Sequence, residues 1–236
     1  IEIGFAHTPF KWANNAAHNA GVTCAVVGLR NEGAAPKRLI TGEVDRRASN
    51  ITPYLVEGPT VYVTKRARSI CGLPQMLFGN MPRDGGYLLM DKTECDDLLA
   101  REPEAARFVR PFVGSNQFIH GHQRYCIWVP DDEAEEAWNL PLVGERLRQT
   151  RNFRLDSRAD STQSFARRAH RFVQIQGVAQ DHAILVPRHS GEHRPYLPVG
   201  LLTNGEIVSD SALAIYDAPV WTLALIASRL HLVWIA

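Results

Sequence analysis

Short apolar runs separated by turn residues dominate the chain, and most of them predict β-strands. The longest, residues 22–29, is a continuous apolar run typical of a central buried strand. Asn204 and Gly205 predict a tight hairpin turn between two strands, and residues 118–119 and 124–129 predict a second hairpin. Further strands are predicted at residues 3–6, 39–40, 51–56, 87–90, 172–175, 183–186, 196–202, 207–208 and 214–216.

Helical patterns lie between these strands. Thr93 or Asp91 is a suitable N-cap for a helix over residues 93–100, and acidic residues begin another over residues 131–138. Helices are also predicted at residues 102–109, at 144–169 with a break near 156–162, and at 222–234 as a buried helix. The predicted fold class is therefore α+β, with mixed sheets and interspersed helices.

Composition excludes several classes of protein. Hydrophobic residues make up 45% of the 236 residues and charged residues 22%, as in a soluble globular protein. No apolar run reaches the roughly 18–20 residues that span a bilayer, so no membrane association is expected. Cys24, Cys71, Cys95 and Cys126 form no closely spaced pair, which argues against zinc and favours reduced thiols in a cytoplasmic protein. Both ends of the chain look cut, so we expect a piece of a longer protein.

Charge is unevenly distributed, although the formal net charge is only +1. Residues 145–194 contain ten arginines, no lysine and five acids. The planar fork of arginine suits phosphate and guanine, so this stretch predicts contact with nucleic acid. A solvated helix face rich in arginine is the alternative.

Motifs for autonomous chemistry are absent from the sequence. It contains no phosphate-binding loop, no HExxH motif and no GxSxG elbow. His120 and His122 could suggest a metal site, but two histidines without a nearby cysteine or acid are more typical of a surface turn. No catalytic residue and no metal ligand is therefore assigned.

A family resemblance begins at residues 10–16 and 22–29, which resemble the last strands of the methyltransferase fold in MmeI-like type II restriction–modification enzymes. It continues through residues 80–89, where Asn80, Met81, Pro82, Arg83, Asp84, Gly85 and Gly86 lead into an apolar strand. The later landmarks are residues 112–115, 118–119, 124–128, 190–200, 209–210 and 214–218. They span nearly the whole chain in the order of the family.

The resemblance implies a parent enzyme that transfers a methyl group from S-adenosylmethionine to adenine. Some members of the family also carry a nuclease on the same chain, and others only methylate. Residues 1–30 would be the truncated C-terminal strands of its methyltransferase domain, and residues 31–236 its target-recognition domain. This chain would carry no cofactor itself. Its partners would be double-stranded DNA and the remainder of its own parent chain.

The resemblance also implies a pocket for the target adenine. In many amino-methyltransferases the strand corresponding to residues 22–29 ends in an aromatic that stacks on a flipped adenine. Leu29 stands at that position here, and Phe10 and Trp12 are possible substitutes, with core packing as the alternative for both.

Base readout is predicted near residues 188–196, because residues i and i+2 of a strand point the same way and can enter one groove together. The predicted base-reading residues are Glu192, Arg194 and Tyr196, with a surface ion pair as the alternative for the first two. The predicted DNA backbone contacts are Arg151, Arg154, Arg158, Arg167, Arg168, Arg171 and Arg188.

Two other functions stay open at this point. One is a non-catalytic interaction module of a phage-defence complex, which would need no base readout. The other is an enzyme acting alone, against which the missing catalytic motifs argue.

Overall fold

Strands at the start of the chain build a four-stranded sheet in the order β2-β1-β3-β4. The strands are β1 (Glu2–Lys11), β2 (Thr23–Arg30), β3 (Lys37–Thr41) and β4 (Val44–Ala48). They form a compact unit, Ile1–Ala67, whose core contains Ala6, Leu39, Ala48 and Ile51. The computed structural model describes residues 1–12, 22–62, 64–66, 72–191 and 193–235.

The apolar strand β2 lies at the edge of this sheet, not at its centre. Its only strand partner among the described residues is β1, which it pairs in antiparallel register. Val26 and Val27 are about half exposed, and Leu29 is 68% exposed. The predicted central buried strand is therefore wrong for the described chain, because no described element covers these side chains.

The second unit, Arg68–Ala236, contains two further four-stranded sheets, ordered β10-β9-β12-β5 and β11-β7-β8-β6. Its strands are β5 (Leu77–Phe78), β6 (Leu89–Asp91), β7 (Val109–Val113), β8 (Arg124–Ile127), β9 (Ala183–Pro187), β10 (Gly200–Leu202), β11 (Ile207–Val208) and β12 (Ala212–Tyr216). Its α-helices are α1 (Lys92–Arg101), α2 (Ser115–His120), α3 (Ala134–Asn139), α4 (Pro141–Leu155), α5 (Asp160–Gln163), α6 (Trp221–Ala227) and α7 (Arg229–Ile235). Short 3-10 helices cover Pro103–Phe108, Asp131–Glu133 and Ser164–Arg168. The predicted α+β class with mixed sheets is confirmed.

The predicted hairpin over residues 118–129 is wrong, since its first half is helix α2. The backbone N–H of Gly114 donates to Oε1 of Gln117 at 3.2 Å, which closes the start of the helix. Gly121 ends it with a φ of 72°, a left-handed conformation that glycine adopts without strain. The strand β8 instead pairs with β6 and β7.

Two other predictions made from the local sequence are also wrong, namely the hairpin around Gly205 and the helix at residues 222–234. Gly205 adopts the left-handed conformation that such a turn uses, with a φ of 70°. The flanking strands do not pair with each other, because β10 pairs with β9 and β11 runs parallel to β7 in another sheet. The predicted helix at residues 222–234 is interrupted at Ser228, whose backbone is extended, and Leu230 and Trp234 beyond it are exposed.

Helix α4 carries the first part of the arginine-rich stretch and packs one stripe against the core. Val143, Leu147, Thr150 and Arg154 are spaced by four, three and four residues, and all four are buried. This spacing places them on one helix face. Arg154 therefore occupies a core position and is fully buried, with 0% exposure.

The guanidinium of Arg154 is enclosed by backbone carbonyl oxygens. Nε donates to Arg83 O at 3.0 Å, and Nη2 donates to Pro82 O at 2.8 Å and to Arg171 O at 2.7 Å. Nη1 donates to Phe165 O at 3.1 Å and to Arg168 O at 2.8 Å. An arginine side chain has five N–H donors, so all of them are used. The expected phosphate contact by Arg154 is a wrong prediction, because no donor is left for a phosphate.

Burial lowers the pKa of Arg154 to about 10, so the side chain remains charged at neutral pH. A buried charge is tolerated only where hydrogen bonds replace the lost hydration. The five carbonyls supply them, and they come from the loop at Pro82 and Arg83 and from residues 165–171. Arg154 therefore ties three segments of the second unit together.

Replacing Arg154 with Met should lower the free energy of unfolding by on the order of 3 kcal/mol or more, because five buried carbonyl oxygens lose their donors. Arg154→Lys should recover only part of this loss, since an ammonium group lacks the planar fork. Urea-induced unfolding of the variants measures both effects. The matched control is Arg158→Met, at an exposed position, which should change stability by less than about 0.5 kcal/mol. Equal stabilities of the Arg154 and Arg158 variants would contradict the role of the carbonyl cage.

Candidate nucleic-acid interface

Three arginines of the basic stretch are paired with acids. Arg146 Nη2 lies 3.5 Å from Glu94 Oε1. Arg148 Nη2 lies 2.8 Å from Glu145 Oε2, one turn away on the same helix. Arg171 forms an ion pair with Asp131, which also accepts a hydrogen bond from His170 Nε2 at 2.7 Å. The hydrogen bond from His170 and the charge of Arg171 hold the pKa of the Asp131 carboxyl below its usual value. Arg171, predicted to contact a DNA phosphate, therefore already has a carboxylate partner.

Four other predicted contacts, all between residues 151 and 168, are exposed. They form no side-chain hydrogen bond and no ion pair within the described ranges. These residues are Arg151, Arg158, Arg167 and Arg168. We call them the free arginines. The same segment carries two exposed acids, Asp156 and Asp160, so positive charge remains in excess.

The turn between α4 and α5 carries Arg158 and connects the segments that carry Arg151, Arg167 and Arg168. Gln163 Nε2 donates to Leu155 O at 3.3 Å and to Ser157 O at 2.8 Å, which closes the turn. A groove of about 540 Å³ lies beside it, and Arg151 and Arg167 both line this groove. Its other lining residues are Leu155, Asp160, Gln163, Ser164 and Ala166. An anionic oxygen in this groove would be within reach of two uncompensated guanidinium groups.

Arg83 is a candidate that the sequence did not assign. Its Nη1 donates to Thr162 Oγ1 at 3.2 Å, so its exposed side chain extends towards α5. Its φ is 43°, a left-handed conformation that is rare for any residue but Gly, Asn and Asp. It has no acidic partner among the described residues. The available signal was its place inside a loop with strong turn chemistry, next to Asp84, Gly85 and Gly86.

The predicted base-reading segment lies between β9 and β10, and it is not a strand where the readers were expected. Glu192 lies outside the described residues. Arg194 is exposed in a turn, where its backbone N–H donates to Gly191 O at 3.2 Å, and Tyr196 is 57% exposed. Because Arg194 lies in a turn, the argument from strand geometry does not hold for this residue. Arg188, at the start of the segment, directly follows the buried strand β9 and is exposed.

The three residues expected near a target adenine do not come together. Phe10 and Trp12 are neighbours, with ring centroids 6.5 Å apart. Leu29 pairs with Ile3 at the opposite end of β1, whereas Phe10 pairs with Cys24. Seven residues of strand separate the two positions, roughly 23 Å. The antiparallel register thus keeps Leu29 away from both aromatic rings.

Within the described residues, neither metal-ligating side chains nor the Cys126 thiol indicates another functional site. No cluster of three or more metal-ligating side chains occurs there. His120 and His122 stack with ring centroids 5.8 Å apart. Burial raises the pKa of the Cys126 thiol, which makes it a poor nucleophile. No helix within these residues is both long and apolar enough to span a membrane.

Comparison with known proteins identifies the family. Residues 57–236 match the target recognition domain of MmeI, and residues 1–41 match the DNA-methyltransferase domain of MmeI. The chain belongs to the MmeI target recognition domain family. The resemblance inferred from the sequence motifs is thereby confirmed.

Two relatives of this MmeI-family chain are much longer than it is. DNA methyltransferase A of Bacillus subtilis (strain 168) is 37% identical over 236 residues, which are 100% of this chain and 27% of that protein. A solved structure of the type IIL restriction–modification enzyme MmeI in complex with DNA is similar, with a TM-score of 0.81 and 31% identity. The similarity covers 99% of this chain and 32% of that one.

In this MmeI-family domain, the motif at residues 80–86 has a structural role. Asn80 is fully buried, and its Nδ2 donates to Gly177 O at 2.9 Å and to Val208 O at 3.2 Å. Its Oδ1 accepts the backbone N–H of Gln176 at 2.8 Å. Asp84 is also buried and accepts the N–H of Leu88 at 2.6 Å. These side chains hold the loop that presents Arg83.

Proposed function

We propose that this chain is the DNA-recognition part of an adenine-specific DNA methyltransferase of the restriction–modification type. The observation that carries this proposal is the group of exposed free arginines on a framework of the MmeI target recognition domain family. The similarity to MmeI in complex with DNA supports it. The whole protein would be longer than this chain.

The free arginines are the proposed contacts to DNA phosphates, and Arg83 joins them. Duplex DNA carries one negative charge per about 1.7 Å of its axis, so uncompensated guanidinium groups on one framework suit it. The strained backbone of Arg83 supports its inclusion, because strained residues persist where the surrounding structure holds them and often mark functional sites. Arg154 is excluded by its burial, and Arg171 is a weaker candidate because Asp131 already pairs with it.

Base readout is proposed for Glu192, Arg194 and Tyr196. The exposure of Arg194 and Tyr196 in an irregular segment supports this, since neither side chain has to leave a core to reach a groove. Arginine can donate two parallel N–H bonds to guanine, and a carboxylate can accept from the amino group of cytosine.

Residues 1–30 are proposed to close the methyltransferase domain, with residues 31–236 forming the target-recognition domain. The match of residues 1–41 to the MmeI methyltransferase domain supports the assignment of residues 1–30, and it extends eleven residues beyond the proposed boundary. The exposure of Val26 and Leu29 on β2 is consistent with a further part of that domain covering them. S-adenosylmethionine would supply the methyl group in the parent, and no residue of this chain is assigned to it.

DNA binding should weaken as salt rises, because phosphate contacts release condensed counterions. Arg167→Ala combined with Arg168→Ala should flatten the plot of log affinity against log salt by up to about 0.9 per lost contact. Fluorescence anisotropy over a salt series measures the slope. The control combines Arg101→Ala and Arg148→Ala, whose side chains pair with Asp97 and Glu145, and it should change the slope less. An unchanged slope in the first variant would place these two arginines away from DNA.

Arg83→Asn should weaken DNA binding and lower the salt slope by about one contact without lowering the melting temperature. Asparagine tolerates the positive φ of this position while removing the charge. Arg83→Lys is the charge-matched control and should keep the salt slope. If the Asn variant melts earlier but binds DNA with the wild-type slope, then Arg83 is only a structural residue.

Base readout is testable by charge reversal. Glu192→Lys together with Arg194→Asp should reverse the preferred pair from G·C towards C·G at one site position, with other positions unchanged. A good bidentate contact contributes about 1–3 kcal/mol of discrimination. Sequencing of sites modified by the full-length protein measures the outcome. Glu145→Lys with Arg148→Asp reverses a comparable exposed pair and should leave the recognised sequence intact. An active first variant with an unaltered recognition sequence would contradict the assignment.

A further inference from the structure

Phe78 is an exposed aromatic residue on a rigid edge strand. The strand β5 pairs with β12, with Phe78 opposite Leu213, yet the side chain of Phe78 is 54% exposed. Gly79 follows it, and its backbone N–H donates to Ala212 O at 3.0 Å. A Cβ on Gly79 would lie 2.1 Å from Ser209 O, so the backbone at Gly79 packs directly against the backbone of Ser209. The ring therefore stands on a backbone that cannot shift easily.

Arg188 is held against this ring by several contacts. Its Cζ lies 5.0 Å from the centroid of Phe78, within the range of a cation–π interaction. Its Nη1 donates to Asp210 O at 3.1 Å, and its backbone N–H donates to Ser115 Oγ at 3.2 Å. Arg188 directly follows the buried strand β9, so its Cα is also anchored.

These contacts leave one edge of the guanidinium available. Nε and Nη2 have no hydrogen-bond partner among the described residues, and their N–H groups form the parallel pair that binds two acceptors at once. The free arginines described above differ, because none of them has a contact that orients its side chain. A phosphate can be approached from many directions, whereas two fixed acceptors on a base edge require an oriented fork.

From this geometry we propose that Arg188 reads a guanine in the major groove, and that Phe78 is the positioning residue that orients it. The sequence had placed Arg188 among the phosphate contacts. The inference deepens the proposed function and rests on it. Its location supports it, because Arg188 opens the segment that contains the proposed readers Arg194 and Tyr196.

The experiment uses the full-length protein, with its target sequence first located by sequencing of the sites it modifies. Binding is then measured against the target duplex and against duplexes with one base pair replaced at a time. Arg188→Lys should lose about tenfold of discrimination at one G·C position while the salt slope stays constant. The lysine keeps the charge but cannot bind both guanine acceptors through a planar fork.

Phe78→Leu should reduce discrimination at that same position, because the apolar bulk remains while the cation–π contact is lost. Arg148→Lys is the matched control away from the proposed contacts, because Arg148 pairs with Glu145, and it should alter neither discrimination nor slope. Thermal melting of each variant separates a folding defect from a loss of readout.

Three results would overturn the inference. Arg188→Lys with unchanged discrimination at every position, combined with a lower salt slope for Arg188→Ala, would make Arg188 a phosphate contact. If Phe78→Leu lost the same amount of discrimination at every position, Phe78 would have only a packing role. A wild-type protein that binds all sequences equally would instead overturn the proposed function itself, and the inference with it.

Discussion

The enclosure of a charged guanidinium by five backbone carbonyls is the constraint on which the arginine-rich region depends. Arg154 binds the carbonyl of Arg168, the last residue of a 3-10 helix, where a cation is favoured by the orphan carbonyl groups, and it binds the carbonyl of Arg171 beyond that helix. It also binds the carbonyl of Arg83. Arg83 and Arg168, whose side chains are exposed, are thus held in place by hydrogen bonds from Arg154 to their backbone carbonyls.

Residue type alone does not distinguish the buried Arg154 from the exposed arginines, but the position of Arg154 on helix α4 does. The spacing of Val143, Leu147, Thr150 and Arg154 follows one helix face, so the periodicity of the sequence already placed Arg154 in the core. Treating all arginines of the stretch as one surface missed this. The pairing of Arg171 with Asp131 joins residues 40 positions apart, and no local pattern predicts such a contact.

The strands were predicted more successfully than their pairing. Alternation and apolar runs located β9, β11 and β12 closely, because these signals depend on local burial. The hairpins failed where two adjacent segments found partners elsewhere, as β10 and β11 did in different sheets. The helix α2 was not predicted, because the sequence features that mark it are the glycines at its two ends, Gly114 and Gly121. The family motifs compensated for part of this, since they identified the domain without requiring its topology.

Affinity and specificity are physically separable in this arrangement. Arg151, Arg167 and Arg168 lie on helices, and Arg158 lies in the turn between α4 and α5. Their long-range attraction to phosphate needs no exact orientation and is screened by salt. Arg188 and Arg194 lie in an irregular segment beyond the fully buried strand β9. Leu197 and Val199 of that segment pack against the core side chains of β9 and β12, whereas Arg188 and Arg194 are exposed. Because base readout depends on short hydrogen bonds and oriented side chains, it can change there while the electrostatic attraction to DNA is preserved.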